Sequence, residues 1–506
     1  MAHLDLYALG LEFLDSEDYV SAADHFISAL EMSPLNERYY NALGLSMYKL
    51  GQFQAAIDCF SQSIRFNEKY LEPYINCANA LIKKNLYTEA LQLLDHAIIH
   101  DPNSYAAYSN RGNILVILRA LDDSILDFNK CIELNPAQAE GFLHRGIAFK
   151  YLANYQQALM DFSYALELDP FNIKALLNLA NLYLDCNEPD KSISYFNSAL
   201  KINPHHPEAH FQKSLCLLQM GFFIEAWQEY EWRWQRPQKS SSYLKSSKNL
   251  LKPGQRVHRL LIWSEQGIGD EIMFACQFPL LYQLADVIII QAEPRLMSIF
   301  SFSFPNYKFI SRDNSIPEDD YDAHLPIGNL CQHFLTSKNK FLELKNIYLY
   351  SPDQFRFKFN SELKSNKKFC GISWKSYAKE FGLDKSIALN DFLRRLDRDN
   401  LQLINLQYGD CEIELKAAES LFNISIFRPE FDLTKDFTAL AALISECDQV
   451  ISVSNSMLHL AAALGKECQL MLSKHKDWRW SLDPHQILWY KNLHFFEDPT
   501  EIPKLQ

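Results

Sequence analysis

Up to about residue 235 the apolar positions recur at helical spacing, and the whole pattern repeats with a fixed period. Pro34, Pro102, Pro136, Pro170 and Pro204 fall on a 34-residue grid whose remaining node holds Glu68. A column of small residues runs in the same phase through Gly10, Gly44, Ala78, Gly112, Gly146 and Ala180, and a second through Ala22, Ala56, Ala90, Ser124, Ala158 and Ser192. An apolar column holds Phe26, Phe60, Leu94, Phe128, Phe162 and Phe196. This predicts one helix pair per unit: small residues let the helices approach, the large ring fills the gap and proline closes the unit. A seventh, weaker unit begins at His206, with Ala226 and Tyr230 in phase, and ends in the aromatic run from Trp227 to Trp234. The pattern then changes to short apolar runs alternating with helical stretches.

Leu260 to Trp263 reads as a buried strand, followed by a turn carrying Gly267 and Gly269 and a helix opening at Asp270. Further strands are predicted over 286–291 and 307–310, and the polar segment from Ser351 to Lys368 reads as a hinge. The alternation restarts with strands at 369–374, 401–407, 423–427, 449–453 and 468–472, separated by helices near 390–396, 412–421, 435–446 and 456–464. Such spacing makes doubly wound parallel sheets with ligands at the strands' C-terminal ends. The expected division is an α-solenoid over 1–235, a linker over 236–258, one Rossmann-like half over 259–350 and a second over 366–506. The linker contains no acidic residue between Gln235 and Ser264 but carries Arg236, Lys239, Lys245, Lys248, Lys252, Arg256 and Arg259, with serines at 240–242. It reads either as a solvated connector or as a segment ordered against the second half.

At 506 residues the chain is long enough for two or three cores. Its net charge of −13 excludes a general nucleic-acid binder, which needs a surplus of Lys and Arg. Eleven cysteines without paired spacing point to reduced, buried thiols rather than a disulfide framework or a zinc site. The amphipathic, acidic N-terminus is unlike a signal peptide, and no apolar run reaches membrane-spanning length. A cytoplasmic protein with no membrane span and no metal is the expectation.

Three turns carry candidate chemistry. Gly267 and Gly269 would bring bare backbone N–H groups close to an anion, although a merely tight turn also explains them. Trp374, Lys375 and Ser376 follow the first strand of the second half. Ser454, Asn455 and Ser456 follow a buried strand and open a helix with His459 on its first turn. These side chains either cap that helix or ring a diphosphate, and His459 is either a core histidine or a ligand contact. In the array, Asn41, Asn76, Asn110 and Asn178 look exposed and suited to pairing with a peptide backbone, with ordinary helix solvation as the alternative.

The 34-residue columns resemble the tetratricopeptide repeat. The segments IleTrpSerGluGlnGlyIleGlyAspGluIle, GlyIleSerTrp, AsnLeuGln (405–407), AspPheThrAlaLeuAlaAlaLeuIle (436–444), ValIleSerVal with HisLeuAlaAlaAlaLeuGlyLys, and AspTrpArgTrp (477–480) resemble bacterial proteins in which such repeats are fused to a GT-B glycosyltransferase domain related to the heptosyltransferases. The resemblance implies a concave groove for an extended peptide. It also implies inverting, metal-independent transfer of a sugar from a nucleotide diphosphate donor, without any other cofactor. The proposed base of that family falls on Asp270, and the donor contacts fall on Lys375, Gln407, Ser454, Asn455, Ser456, His459 and Arg479. The family usually has Asp-Thr where this chain has Ser454 and Asn455, so either the donor sugar differs or activity is lost.

The residue types suit the chemistry independently: transfer to a hydroxyl needs a carboxylate to accept the proton and fixed positive charge for the departing diphosphate. Asp270 equally suits capping of its own helix. Three functions stay open: a glycosyltransferase acting on a polypeptide recruited by the array, with flagellin or another surface protein suggested by analogy with similar fusions; a non-catalytic peptide-binding adaptor with a degenerate transferase domain; and a transferase acting on a lipid-linked or small glycan.

Overall fold

The computed structural model describes residues 2–237, 243–265, 267–351, 367–377, 385–472, 478–480 and 487–496. Residues 352–366 of the expected hinge lie outside this set, as do Lys239, Ser240, Ser241, Ser242, Gln266 and Asp477. The chain divides into two compact units, Met1–Cys186 with Asn197–Ile202, and Asn187–Phe196 with Asn203–Gln506. Among the described residues no helix is long and apolar enough to cross a membrane.

The first unit is built of helical hairpins, such as Tyr19–Met32 following Ala2–Asp15 and Phe53–Phe66 following Glu37–Lys49. The small and aromatic columns explain each other. A Cβ placed on Gly10, Gly44, Gly112 or Gly146 would lie 2.5–2.7 Å from the ring of Phe26, Phe60, Phe128 or Phe162 respectively. Those rings are fully buried, each contributing about 1.5–3 kcal/mol of transfer free energy. Where the small residue is Ala78, the facing column holds the smaller Leu94.

A further 34-residue column concerns backbone. Glu17, Gly51, Asn85, Arg119 and Ala153 all adopt positive φ at the turn inside each hairpin, and Asn187 and Gly221 continue the series in the second unit. Only two of these are glycines, so the residue alphabet hid a left-handed position that the geometry repeats. The asparagines expected to be exposed are engaged instead. Asn41 is buried, donates to the Tyr70 hydroxyl and accepts from Asn76; Asn110 donates to Asn79, and Asn178 to the Lys174 carbonyl.

The second unit contains two parallel sheets. The first has β1 (Asn249–Leu250), β2 (Val257–Trp263), β3 (Ala285–Ala292), β4 (Lys308–Ser311) and β5 (Ala323–Pro326), ordered β1-β5-β2-β3-β4. The second has β6 (Lys368–Ser373), β7 (Leu401–Asn405), β8 (Ile426–Phe427), β9 (Gln449–Ser452), β10 (Glu467–Leu470) and β11 (Leu493–Phe495), ordered β11-β10-β9-β6-β7-β8. Both sheets are all-parallel, which requires a crossover between sequential strands. In each, the strand order reverses beside the first long strand, between β2 and β5 and between β6 and β9. Such reversals open a crevice at the strands' C-terminal ends. β1, β5 and β11 escaped the sequence reading because they are two to four residues long and, in β5, end on proline.

The stretch read as a linker differs from a connector over its described residues. β1 pairs with β5, Leu251 is buried, the Ser247 backbone and hydroxyl engage Glu318, and Arg256 and Arg259 are ion-paired to Asp286 and Asp322. The compact division also falls near residue 187 rather than at 235. The reason is the seventh repeat, helices Pro207–Met220 and Phe223–Tyr230, whose aromatic face packs on the α/β elements. The Trp227 indole donates to the Leu335 carbonyl at 2.8 Å, and Gln332 returns a bond to the Trp227 carbonyl at 2.9 Å. Phe223 meets Phe341. Arg233 then inserts into the first sheet's crevice, its guanidinium holding both oxygens of Glu265 at 2.8 and 2.9 Å with both side chains buried.

Candidate functional site

The loop after β2 and the helix that follows it carry three of the sequence-predicted residues, Gly267, Gly269 and Asp270. Glu265 anchors it, accepting the Gly328 backbone N–H as well as Arg233. Gly267 is the extended residue just before helix Ile268–Phe274, so that helix opens two residues earlier than expected and Gly269 lies inside its first turn. The cause is tertiary. A Cβ on Gly269 would stand 3.2 Å from His459 Cδ2 and 3.6 Å from Ser456 Cα, so Gly269 is where this helix crosses helix Ser456–Ala463. Gly267, by contrast, has open space where a Cβ would go.

That crossing brings Asp270, from the first sheet's half, beside the β9 turn of the second. The Asp270 Oδ1 accepts from Arg479 Nη2 at 2.5 Å and Nε at 2.8 Å, both side chains being mostly buried. Ser454 accepts the Trp480 indole N–H at 3.1 Å, and the Trp480 ring stacks on His459. His459 is buried, and its Nδ1 pairs with the Tyr490 hydroxyl at 2.9 Å. Asp270, Gly267, Gly269, Ser454, Asn455, Ser456, His459 and Arg479 all line one cleft of about 360 Å³. A cavity of about 590 Å³ lies at the N-terminal ends of β3 and β4, against Tyr282, Tyr307 and Tyr350, but none of the motif residues reaches it. The smaller cleft is the candidate site, because it lies at the C-terminal ends of β2 and β3 in one sheet and of β6, β7 and β9 in the other, and because charged groups from both halves converge there.

Two predicted residues do other work. Gln407 is buried, and its Oε1 accepts the backbone N–H groups of Trp374 and Lys375 at 3.0 and 2.7 Å and the Ser373 hydroxyl at 3.1 Å. It closes the end of β6 instead of presenting itself to a ligand. The Lys375 ammonium is held by Glu414 at 2.5 Å and does not line the cleft; that bond raises its pKa. Asn455 caps helix Ser456–Ala463, accepting from Met457 and Leu458 N–H while donating to Ser373 and the Lys375 carbonyl. These bonds tie the β6 and β9 turns together.

Several cleft residues had no sequence signal. Arg295 follows β3, pairs with Glu293 at 2.6 Å and donates to the Thr434 carbonyl at 3.1 Å. Lys385, Tyr377 and Tyr408 also line the cleft, the two tyrosine rings 5.2 Å apart. Only the rule that ligands collect at strand C-termini, applied to β3, could have pointed to Arg295. Behind the cleft, Glu271 is fully buried, bonded to the Glu293 N–H and facing Arg312; burial, opposed by those partners, pushes its pKa up to about 7.

Comparison with known proteins bears on the array. Family models described as tetratricopeptide repeat match residues 47–110 and 152–210, 7–69, and 105–138. The first part of the chain therefore carries tetratricopeptide repeats. Protein FlbA of Caulobacter vibrioides (strain ATCC 19089 / CIP 103742 / CB 15) is 28% identical over 316 residues, 56% of this chain and 51% of that protein. The chain thus spans about half the length of the curated relative it matches. Among solved structures, a tetratricopeptide repeat protein from Parabacteroides merdae ATCC 43184 is 19% identical, with a TM-score of 0.42 over 46% of this chain and 91% of that one. YrrB, described as a tetratricopeptide-repeat protein with an unusual peptide-binding site, is 20% identical with a TM-score of 0.31 over 38% and 98%.

Proposed function

We propose that this protein is an inverting, metal-independent glycosyltransferase of the GT-B, heptosyltransferase-like type, moving a sugar from a nucleotide diphosphate donor to a polypeptide recruited by its repeats. The observation that carries this reading is the convergence, at the C-terminal ends of strands from two parallel sheets, of one carboxylate, Asp270, with the cations Arg479, Arg295 and Lys385 in a single cleft. In the reaction, an acceptor hydroxyl attacks the anomeric carbon as the bond from that carbon to the diphosphate oxygen breaks. Asp270 takes the hydroxyl proton, and the cations hold the departing diphosphate with its electron pair. Arg479, Arg295 and Lys385 take the phosphate role that sequence resemblance gave to Lys375. The repeats supply the polypeptide, flagellin or another surface protein being the acceptor class suggested by similar fusions.

A second reading, a peptide-binding adaptor with a degenerate transferase domain, draws on one specific observation. The backbone donors at the β6 end and at helix Ser456–Ala463 are already occupied by Gln407 and Asn455. One experiment separates the readings. The full chain is screened against nucleotides and nucleotide sugars for thermal stabilisation, which binding to the native state must produce. The stabilising donor is then offered with candidate acceptor proteins, and incorporation is read by intact mass. Asp270→Asn should lower incorporation by about 10²–10⁴-fold, the span of general base catalysis. Equal incorporation by both proteins removes Asp270 from the mechanism; no nucleotide binding by the folded wild type favours the adaptor.

A further inference from the structure

The pairing of Asp270 with Arg479 creates a conflict within the proposed mechanism. The carboxylate that must accept a proton and the guanidinium that must hold a phosphate neutralise each other, through contacts of 2.5 and 2.8 Å. Charge-assisted contacts of this kind are among the stronger hydrogen bonds. The two residues that flank Arg479 are both packed. Trp480 is bonded to Ser454 and stacked on His459, while Trp478 packs edge-on against Trp227 of the seventh repeat and against Trp489. The guanidinium lies over the Trp478 ring, 4.7 Å from its centre. With the neighbouring indoles held, the freedom left to Arg479 is that of its side chain.

The geometry points to a charge-exchange latch: Asp270 is the resting occupant of an anion site centred on Arg479, and a diphosphate-class anion must displace it. Displacement moves Arg479 onto the anion and uncovers the carboxylate for the incoming hydroxyl. The anionic substrate therefore binds first and the hydroxyl-bearing one second. A multiply charged diphosphate can win this exchange because it offers Arg479 more negative charge than one carboxylate does, and Arg295 and Lys385 line the same cleft. The inference rests on the diphosphate-binding part of the reading above and is independent of sugar transfer.

The latch makes a prediction with an unusual sign. Removing the charge of Asp270 should tighten anion binding, because the competitor is gone and its repulsion of the anion with it. The probe is inorganic pyrophosphate, titrated calorimetrically into the full chain at fixed ionic strength, with thermal unfolding of each variant as the folding control. Asp270→Asn should bind about tenfold more tightly than wild type, and Arg479→Gln about tenfold or more weakly. In the Arg479→Gln background the gain from Asp270→Asn should shrink to what relief of charge repulsion alone supplies, since there is no guanidinium left to release. Unchanged or weaker binding by folded Asp270→Asn overturns the latch, as does absence of pyrophosphate binding in both wild type and Asp270→Asn. Tighter binding by Asp270→Asn in a protein that transfers no sugar to any acceptor would keep the latch and sink the transferase reading instead.

Discussion

Gly269 meets His459 across a helix crossing so close that a Cβ on the glycine would stand 3.2 Å from the imidazole Cδ2. This contact joins the Asp270 helix of one half to the Ser456–Ala463 helix of the other, and it separates the two glycines of the motif by role. Gly269→Ala should cost about 1–3 kcal/mol through overpacking and displace the helix carrying Asp270. Gly267→Ala, at a φ of −74° and with open space around it, should stay within about 0.5 kcal/mol of wild type. Chemical denaturation of the two variants checks the contrast; equal effects would show that the crossing is slack.

Glu271 makes stability depend on pH. Burial raises its folded pKa to about 7, well above the usual carboxylate value, so between those values the folded state binds more protons than the unfolded one. Its contribution is therefore most favourable below the unfolded pKa and is lost as pH rises through the folded value. Glu271→Gln removes this dependence. The variant's melting temperature relative to wild type should rise between pH 5 and about 8. A difference that stays flat across that range would mean the carboxylate is charged throughout.

Arg233 and Glu265 form a buried pair that binds the seventh repeat to the first sheet. Arg233→Met leaves Glu265 a buried charge deprived of its main partner, and should cost about 3–5 kcal/mol. Arg233→Met with Glu265→Gln should recover part of that loss. A fragment starting at 236 should aggregate, because it exposes the surface that Trp227 and Phe223 cover, whereas one starting at 187 should stay monodisperse. Size-exclusion chromatography of the two fragments decides.

Ala153 holds a φ of 59°, where an L-residue with a Cβ is strained. Ala153→Gly should stabilise the array by about 1 kcal/mol, against the usual entropic penalty of glycine, as the urea midpoint would report. A destabilised variant would mean that the turn has relaxed out of the left-handed region.

The residue columns of the array were readable from sequence because each hairpin repeats one contact locally: Gly10 and Phe26, or Gly146 and Phe162, stand sixteen residues apart and meet without help from the rest of the chain. The longer strands and their helices were readable for a similar reason, since alternation of period and length marks a buried parallel strand whatever its neighbours. The partners of charged groups were not. Lys375 turns to Glu414, and Asp270 to Arg479 across 209 residues, because strand order and helix crossings decide which side chains become neighbours. The same holds for β1, whose two residues become a strand only because β5 offers an open edge, and for the seventh repeat, whose aromatic face finds its cover in the α/β half. Local pattern specifies elements whose contacts close within a few turns of chain. Where the contact energy comes from surfaces that only folding juxtaposes, the choice belongs to the tertiary structure.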